Sequence, residues 1–125
     1  MTALLVVVGA AVGASTRYLV DLLVRWWLRS GPDDVPWGTA VVNLAGSLLI
    51  GLVAGSTLDH PSSALTALVG TGFCGALTTY STFSVETVRL VERGRTGAAA
   101  GYAVGSLVAG VALCALGVAA GRALS

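Results

Sequence analysis

Apolar residues run along this chain in four long blocks with few charges inside them, over residues 3–28, 37–57, 62–91 and 96–124. Each block exceeds the roughly 20 residues that a helix needs to cross a hydrocarbon core. The pattern therefore predicts an all-α membrane protein, a single domain of four spanning helices over residues 1–125. The connections are short and polar: Ser30-Gly31-Pro32-Asp33-Asp34-Val35-Pro36, Leu58-Asp59-His60-Pro61 and Glu92-Arg93-Gly94-Arg95. They leave no room for an extramembrane domain. Trp26, Trp27 and Trp37 flank the first connection, where amphipathic rings anchor a helix end at the lipid–water boundary.

Composition agrees with that pattern. Of 125 residues, 55% are hydrophobic and only 10% charged, and the mean hydropathy is +0.86, too apolar for a soluble domain of this size. Six acids nearly balance seven arginines and there is no lysine, so no basic face invites nucleic acid. Cys74 and Cys114 stand singly in apolar stretches, as packing residues rather than metal ligands or a disulfide pair. Residues 1–15 are not read as a cleaved secretion signal, because no positive residue precedes the apolar run, which continues past Arg17. Glycines recur at four-residue spacing: Gly9 with Gly13, Gly51 with Gly55, Gly97 with Gly101 and Gly105, Gly117 with Gly121. Small residues one turn apart let helix backbones approach closely in lipid, within one subunit or between two.

The third block is the most informative. As one continuous helix its 30 residues would reach roughly 45 Å, well beyond a 30 Å core. Gly70, Gly72 and Gly75, followed by Thr78 and Thr79, predict a break near the middle. Carbonyls unwound at such a break suit a hard cation such as sodium, and a plain glycine kink fits the same residues. Beyond it, helical spacing sets Tyr80 and Thr79 one turn from Phe83, and Thr82 one turn from Glu86. Aromatic pairs at this spacing are most often core, but hydroxyls flank these and ring edges can face an anion. Glu86 is a carboxylate at membrane depth, either bonded to those hydroxyls or acting on a permeating species. Asn43 fits an interhelical hydrogen bond or an amide donor to an anion. Arg17 fits an anion-attracting vestibule charge or an ion pair with Asp21, and Tyr102 and Ser106 offer hydroxyls one turn apart.

Three ordered motifs, Gly13-Ala14-Ser15-Thr16-Arg17-Tyr18, Gly38-Thr39-Ala40-Val41-Val42-Asn43-Leu44-Ala45-Gly46-Ser47 and Gly72-Phe73-Cys74-Gly75-Ala76-Leu77-Thr78-Thr79-Tyr80-Ser81-Thr82-Phe83-Ser84, together closely resemble the Fluc (CrcB) family of fluoride channels. The resemblance covers the whole chain. It implies a dual-topology dimer: two subunits in opposite orientation, two narrow fluoride pathways and a structural sodium ion on the two-fold axis. Carried over to this sequence, it implies sodium ligation by the backbone carbonyls of Gly75 and Thr78. It likewise implies a fluoride pathway along Asn43, Tyr80, Ser81, Thr82, Phe83, Glu86, Tyr102 and Ser106, with Arg17 as the vestibule charge. Tyr80 departs from the phenylalanine usual in the family, and its hydroxyl could hold fluoride too strongly or obstruct the path.

The implied function is passive fluoride efflux by a multi-pass protein of the cell membrane, lowering cytoplasmic fluoride and its toxicity. A small multidrug-resistance transporter also has four spans in opposed orientation, but it wants a carboxylate deep in the first helix, where this chain has only Asp21, after Arg17. No nucleophile and base pair suggests an enzyme, and the single His60 lies in a connection. Arg25, Arg29, Arg89, Arg93 and Arg95 flank the first and third connections, whereas Arg122 alone marks the opposite face. That bias predicts one main orientation, with both termini outside, and hence pairing with a related, oppositely oriented subunit; a homodimer is the alternative.

Overall fold

The computed structural model describes residues 1–31 and 34–125, and its regular structure is helical throughout, with no strand among the described residues. The first connection is therefore described only on either side of residues 32–33, which contribute Pro32 and Asp33 to the expected turn. Helix α1 spans Thr2–Leu28 and stops at Arg29, whose left-handed backbone (φ 48°) turns its N–H onto the carbonyls of Arg25 and Trp26. Helix α2, Trp37–Thr57, starts directly after Pro36. These two and the last helix, Thr96–Leu124, are each long and apolar enough to cross a membrane.

The third block is interrupted near its middle, as expected for residues 62–91, but its first half is not a regular α-helix. It begins as α3, Ser63–Leu65, with the Ser62 hydroxyl accepting the Leu65 N–H at 3.3 Å. It continues without interruption through π-helical turns over Thr66–Cys74 into α4, Gly75–Leu77. Thr78 (φ −78°, ψ 157°) and Thr79 (φ −151°, ψ 124°) are then extended, and α5 occupies Tyr80–Glu92. Gly94, at φ 75°, helps turn the chain into α6, Thr96–Leu124.

The break thus falls at the two threonines, and the expected contribution of Gly70, Gly72 and Gly75 to it is corrected: all three stay helical. Gly72 has another task. A Cβ there would lie 2.6 Å from the Val6 carbonyl and 3.1 Å from the Gly9 Cα, so it lets the widened π-turns press against α1. Why the threonines unwind instead follows from their partner on α2, described below.

Glycine seams hold the helices together. Gly51 and Gly55 of α2 lie against the Cys114 and Val118 carbonyls of α6, while Gly117 and Gly121 of α6 lie against the Leu48 and Leu52 carbonyls of α2. A methyl group at any of the four would collide with the opposing backbone. Gly9 and Gly13 of α1 meet the π-turns in the same way, at Leu68 and Phe73. Lipid offers apolar side chains as good a home as protein, so close backbone contact rather than hydrophobic burial drives this association. Gly97, Gly101 and Gly105 behave differently, for nothing lies within 4 Å of a Cβ at any of them. They form an open face on α6 beside the exposed Val104, Leu107 and Val108. At the opposite end of the bundle from the α2–α6 seam, Ala40, Leu90, Ala99 and Tyr102 close a small core, with Val35 and Phe83 packed on it.

Candidate functional site at the helix break

An interrupted helix at membrane depth exposes backbone groups that lipid cannot satisfy. Asn43 of α2 answers both groups of one residue. Its Nδ2 donates to the Thr79 carbonyl at 3.1 Å, and its Oδ1 accepts the Thr79 N–H at 2.8 Å. The donor and acceptor pattern of Thr79 fixes which way the amide points. Asn43 is therefore an interhelical bond, and its second amide proton is left over from this pair. In an unbroken helix the Thr79 N–H would close on the Gly75 carbonyl. With that N–H committed to Asn43, the Gly75 carbonyl is without its regular donor, and the extended Thr78 sends its own carbonyl out of the helical row. Oxygens freed in this way have the chemistry of hard-cation ligands.

Thr79 also starts α5. Its Oγ1 accepts the Thr82 N–H at 3.2 Å and donates to Thr82 Oγ1 at 3.1 Å. A hydroxyl has one proton, so the 3.3 Å contact with Ser81 Oγ is donated by Ser81. Thr82 ends this chain of bonds with its own proton unspent. Elsewhere hydroxyls turn inward: Thr78 to the Cys74 carbonyl, Ser84 to Tyr80, Thr87 to Phe83 and Ser47 to Asn43, all within 3 Å. The hydroxyl richness of this stretch is thus partly local satisfaction of helix carbonyls.

The aromatic residues form a continuous stack. Phe83 lies between Tyr80, 6.3 Å away between ring centroids, and Tyr102 of α6, 5.1 Å away. Tyr80 is 82% exposed and its ring faces outward, whereas Tyr102 is buried. The Tyr102 hydroxyl reaches Glu86 Oε2 at 3.4 Å, and the buried Thr39 sits beside both groups.

Two cavities flank the start of α5. One, of about 650 Å³, is an open groove that brings together Asn43, Gly75, Thr78, Tyr80, Phe83 and Ser106. The other, of about 230 Å³, gathers Arg17, Asp21, Arg25, Thr39, Thr82 and Glu86. Thr79 lines both. The residues expected along one path are therefore divided between two compartments with the break as their shared wall. Ser81 joins neither lining and binds Thr79, and Tyr102 is the buried strut behind Phe83 and Glu86. Arg17 makes no hydrogen bond or ion pair among the described residues; Asp21 pairs instead with Arg25, 2.9 Å between Oδ2 and Nε. Sequence reasoning missed Thr79 as the centre of the site and Thr39 as a neighbour of Glu86. The four-residue spacing of Asp21 and Arg25 was the available signal for the pair that did form.

Residues 4–118 match the family described as CrcB-like protein, Camphor Resistance (CrcB). The chain is 50% identical to the fluoride-specific ion channel FluC of Bordetella petrii, covering 97% of this chain and 91% of that protein. It is 49% identical to fluoride-specific ion channel FluC 1 of Frankia casuarinae, covering 99% and 98%. Fluoride-specific ion channel FluC 2 of Natronomonas pharaonis is 47% identical, covering 99% and 97%.

The Asn43–Thr79 pair generates a direct expectation. Asn43→Leu strands a half-buried N–H and carbonyl and lowers stability by about 1–3 kcal/mol. Thermal unfolding in detergent measures this, and an unchanged midpoint would show that the break stands without Asn43.

Proposed function

The chain belongs to the CrcB-like family, and from that premise we propose that it is a fluoride-specific ion channel. It sits in the cell membrane as a multi-pass protein and lets fluoride leave passively, lowering cytoplasmic fluoride and its toxicity. The observation that carries this reading is the near half identity, over almost the whole chain, to proteins named as fluoride-specific channels rather than enzymes. The site chemistry agrees. A small, strongly hydrated anion needs hydrogen-bond donors to replace its water. Thr82, the second amide proton of Asn43 and Arg17, which has no ion pair among the described residues, supply donors, and the ring edges of Tyr80 and Phe83 supply weaker ones. Ser81, Ser106, Tyr102 and Glu86 extend the polar lining. No carboxylate lies deep in α1 as a drug-exporting relative would need, since Asp21 is held by Arg25.

A structural sodium ion, held and not transported, is part of the same proposal. The carbonyls of Gly75 and Thr78 are its ligands. Support comes from the commitment of the Thr79 N–H to Asn43 and from the open space around Gly75. Bound sodium would compensate the oxygens that the break sets free.

The channel is completed by a second subunit in opposite orientation. The open glycine face at Gly97, Gly101 and Gly105 and the groove containing Tyr80 and Phe83 support such a partner. The arginine bias favours a related subunit over a second copy, because a chain inserting equally both ways should carry little bias.

Protein purified together with the subunit that completes it should pass fluoride and exclude chloride in liposomes; equal passage of the two would overturn the channel assignment. Replacing sodium with a large organic cation should abolish most of that flux, and full activity without sodium would remove the ion from the scheme. Single cysteines placed in the loops of intact cells should label from one side only. Equal labelling from both sides, with flux from this chain alone, would establish the homodimer.

A further inference from the structure

The smaller cavity holds four formal charges: Arg17, Asp21, Arg25 and Glu86. Two arginines and two carboxylates sum to zero, yet their pairing is uneven. Asp21 binds Arg25 through Oδ2, leaving Arg17 with no ion pair among the described residues. The Asp21 carboxylate is fixed on its other side as well, since its Oδ1 packs directly on Gly38, in the first turn of α2. A side chain at Gly38 would push it away.

We propose that the Asp21–Arg25 pair sets the electrostatic potential of this cavity, and so the rate at which an anion enters it, with Asp21 acting as a brake that Arg25 cancels. The inference rests on the channel reading above and adds to it two residues that regulate entry without lining the helix break. Its physical basis is simple. Low-dielectric protein walls weaken screening inside a cleft, so one unit of charge gained or lost at its wall changes the local anion concentration several-fold. The pair cancels itself at a distance, which leaves Arg17 and the Glu86 carboxylate as the other two charges of the lining.

The test uses three variants of the full chain in liposomes, in sodium gluconate at low and at high ionic strength. Asp21→Asn keeps the shape against Gly38 and frees Arg25, so initial fluoride flux at low salt should rise about threefold or more. Arg25→Gln exposes Asp21, so flux should fall by a similar factor. The double variant should return close to wild type. All three differences should shrink toward none near 1 M salt, where the screening length is only about 3 Å. Flux that falls in both single variants, or that changes equally at both salts, would assign the pair a purely structural role and overturn the proposal. If Asp21→Asn does not yield a monodisperse protein, the sign and salt dependence of Arg25→Gln alone decide it. Wild-type flux in the same vesicles separates the two levels of inference, because its absence with the completing subunit present would sink the channel reading itself.

Discussion

The bond between Asn43 and Thr79 is the interaction on which the rest of the site depends. A helix can be interrupted at membrane depth only if its freed backbone groups find partners in protein. Asn43 presents one donor and one acceptor in the spacing of a peptide edge, and it satisfies both polar groups of Thr79 from a neighbouring helix. That one side chain lets α4 stop and α5 begin in a new direction. It also explains why the break lies at the threonines and not at the glycines before them, which stay helical and of which Gly72 serves α1 packing.

Consequences spread from that point in both directions. Upstream, the loss of the Thr79 N–H from the helical row releases the Gly75 carbonyl. Downstream, Thr79 becomes the cap of α5 and orders Thr82, which lines the cavity of Arg17 and Glu86. Phe83, one turn on, is held between Tyr80 and Tyr102 and cannot be moved without disturbing the contact of Tyr102 with Glu86. Backbone satisfaction, hydroxyl orientation and aromatic stacking are thus one connected arrangement.

Glycine divides the surface of the bundle into closed and open parts. The α2–α6 and α1 seams bring backbone onto backbone inside the subunit. The same residue type on the first half of α6 meets nothing. A spacing of four residues says that a close approach is sterically allowed; it does not say which surface makes it.

Hydropathy alone determined that this chain crosses a membrane, because a run of 20 or more apolar residues has few other stable homes. The excess length of residues 62–91 determined that they could not be one straight helix, and the three ordered motifs determined the family. Residue chemistry also picked out Asn43, Thr82, Phe83, Glu86 and Arg17, since polar and aromatic groups in a span need a reason to be there. What the sequence left open was pairing. Asn43 and Thr79 are 36 positions apart, and no local periodicity links them. Asp21 had Arg17 and Arg25 both four residues away, and only the tertiary placement of α2, with Gly38 against its carboxylate, coincides with the choice of Arg25. The division of the polar residues between two cavities arose in the same way. Helical spacing specifies which residues share a face of one helix, whereas the direction in which α5 leaves the break, and hence which neighbour each face meets, is fixed by contacts between helices.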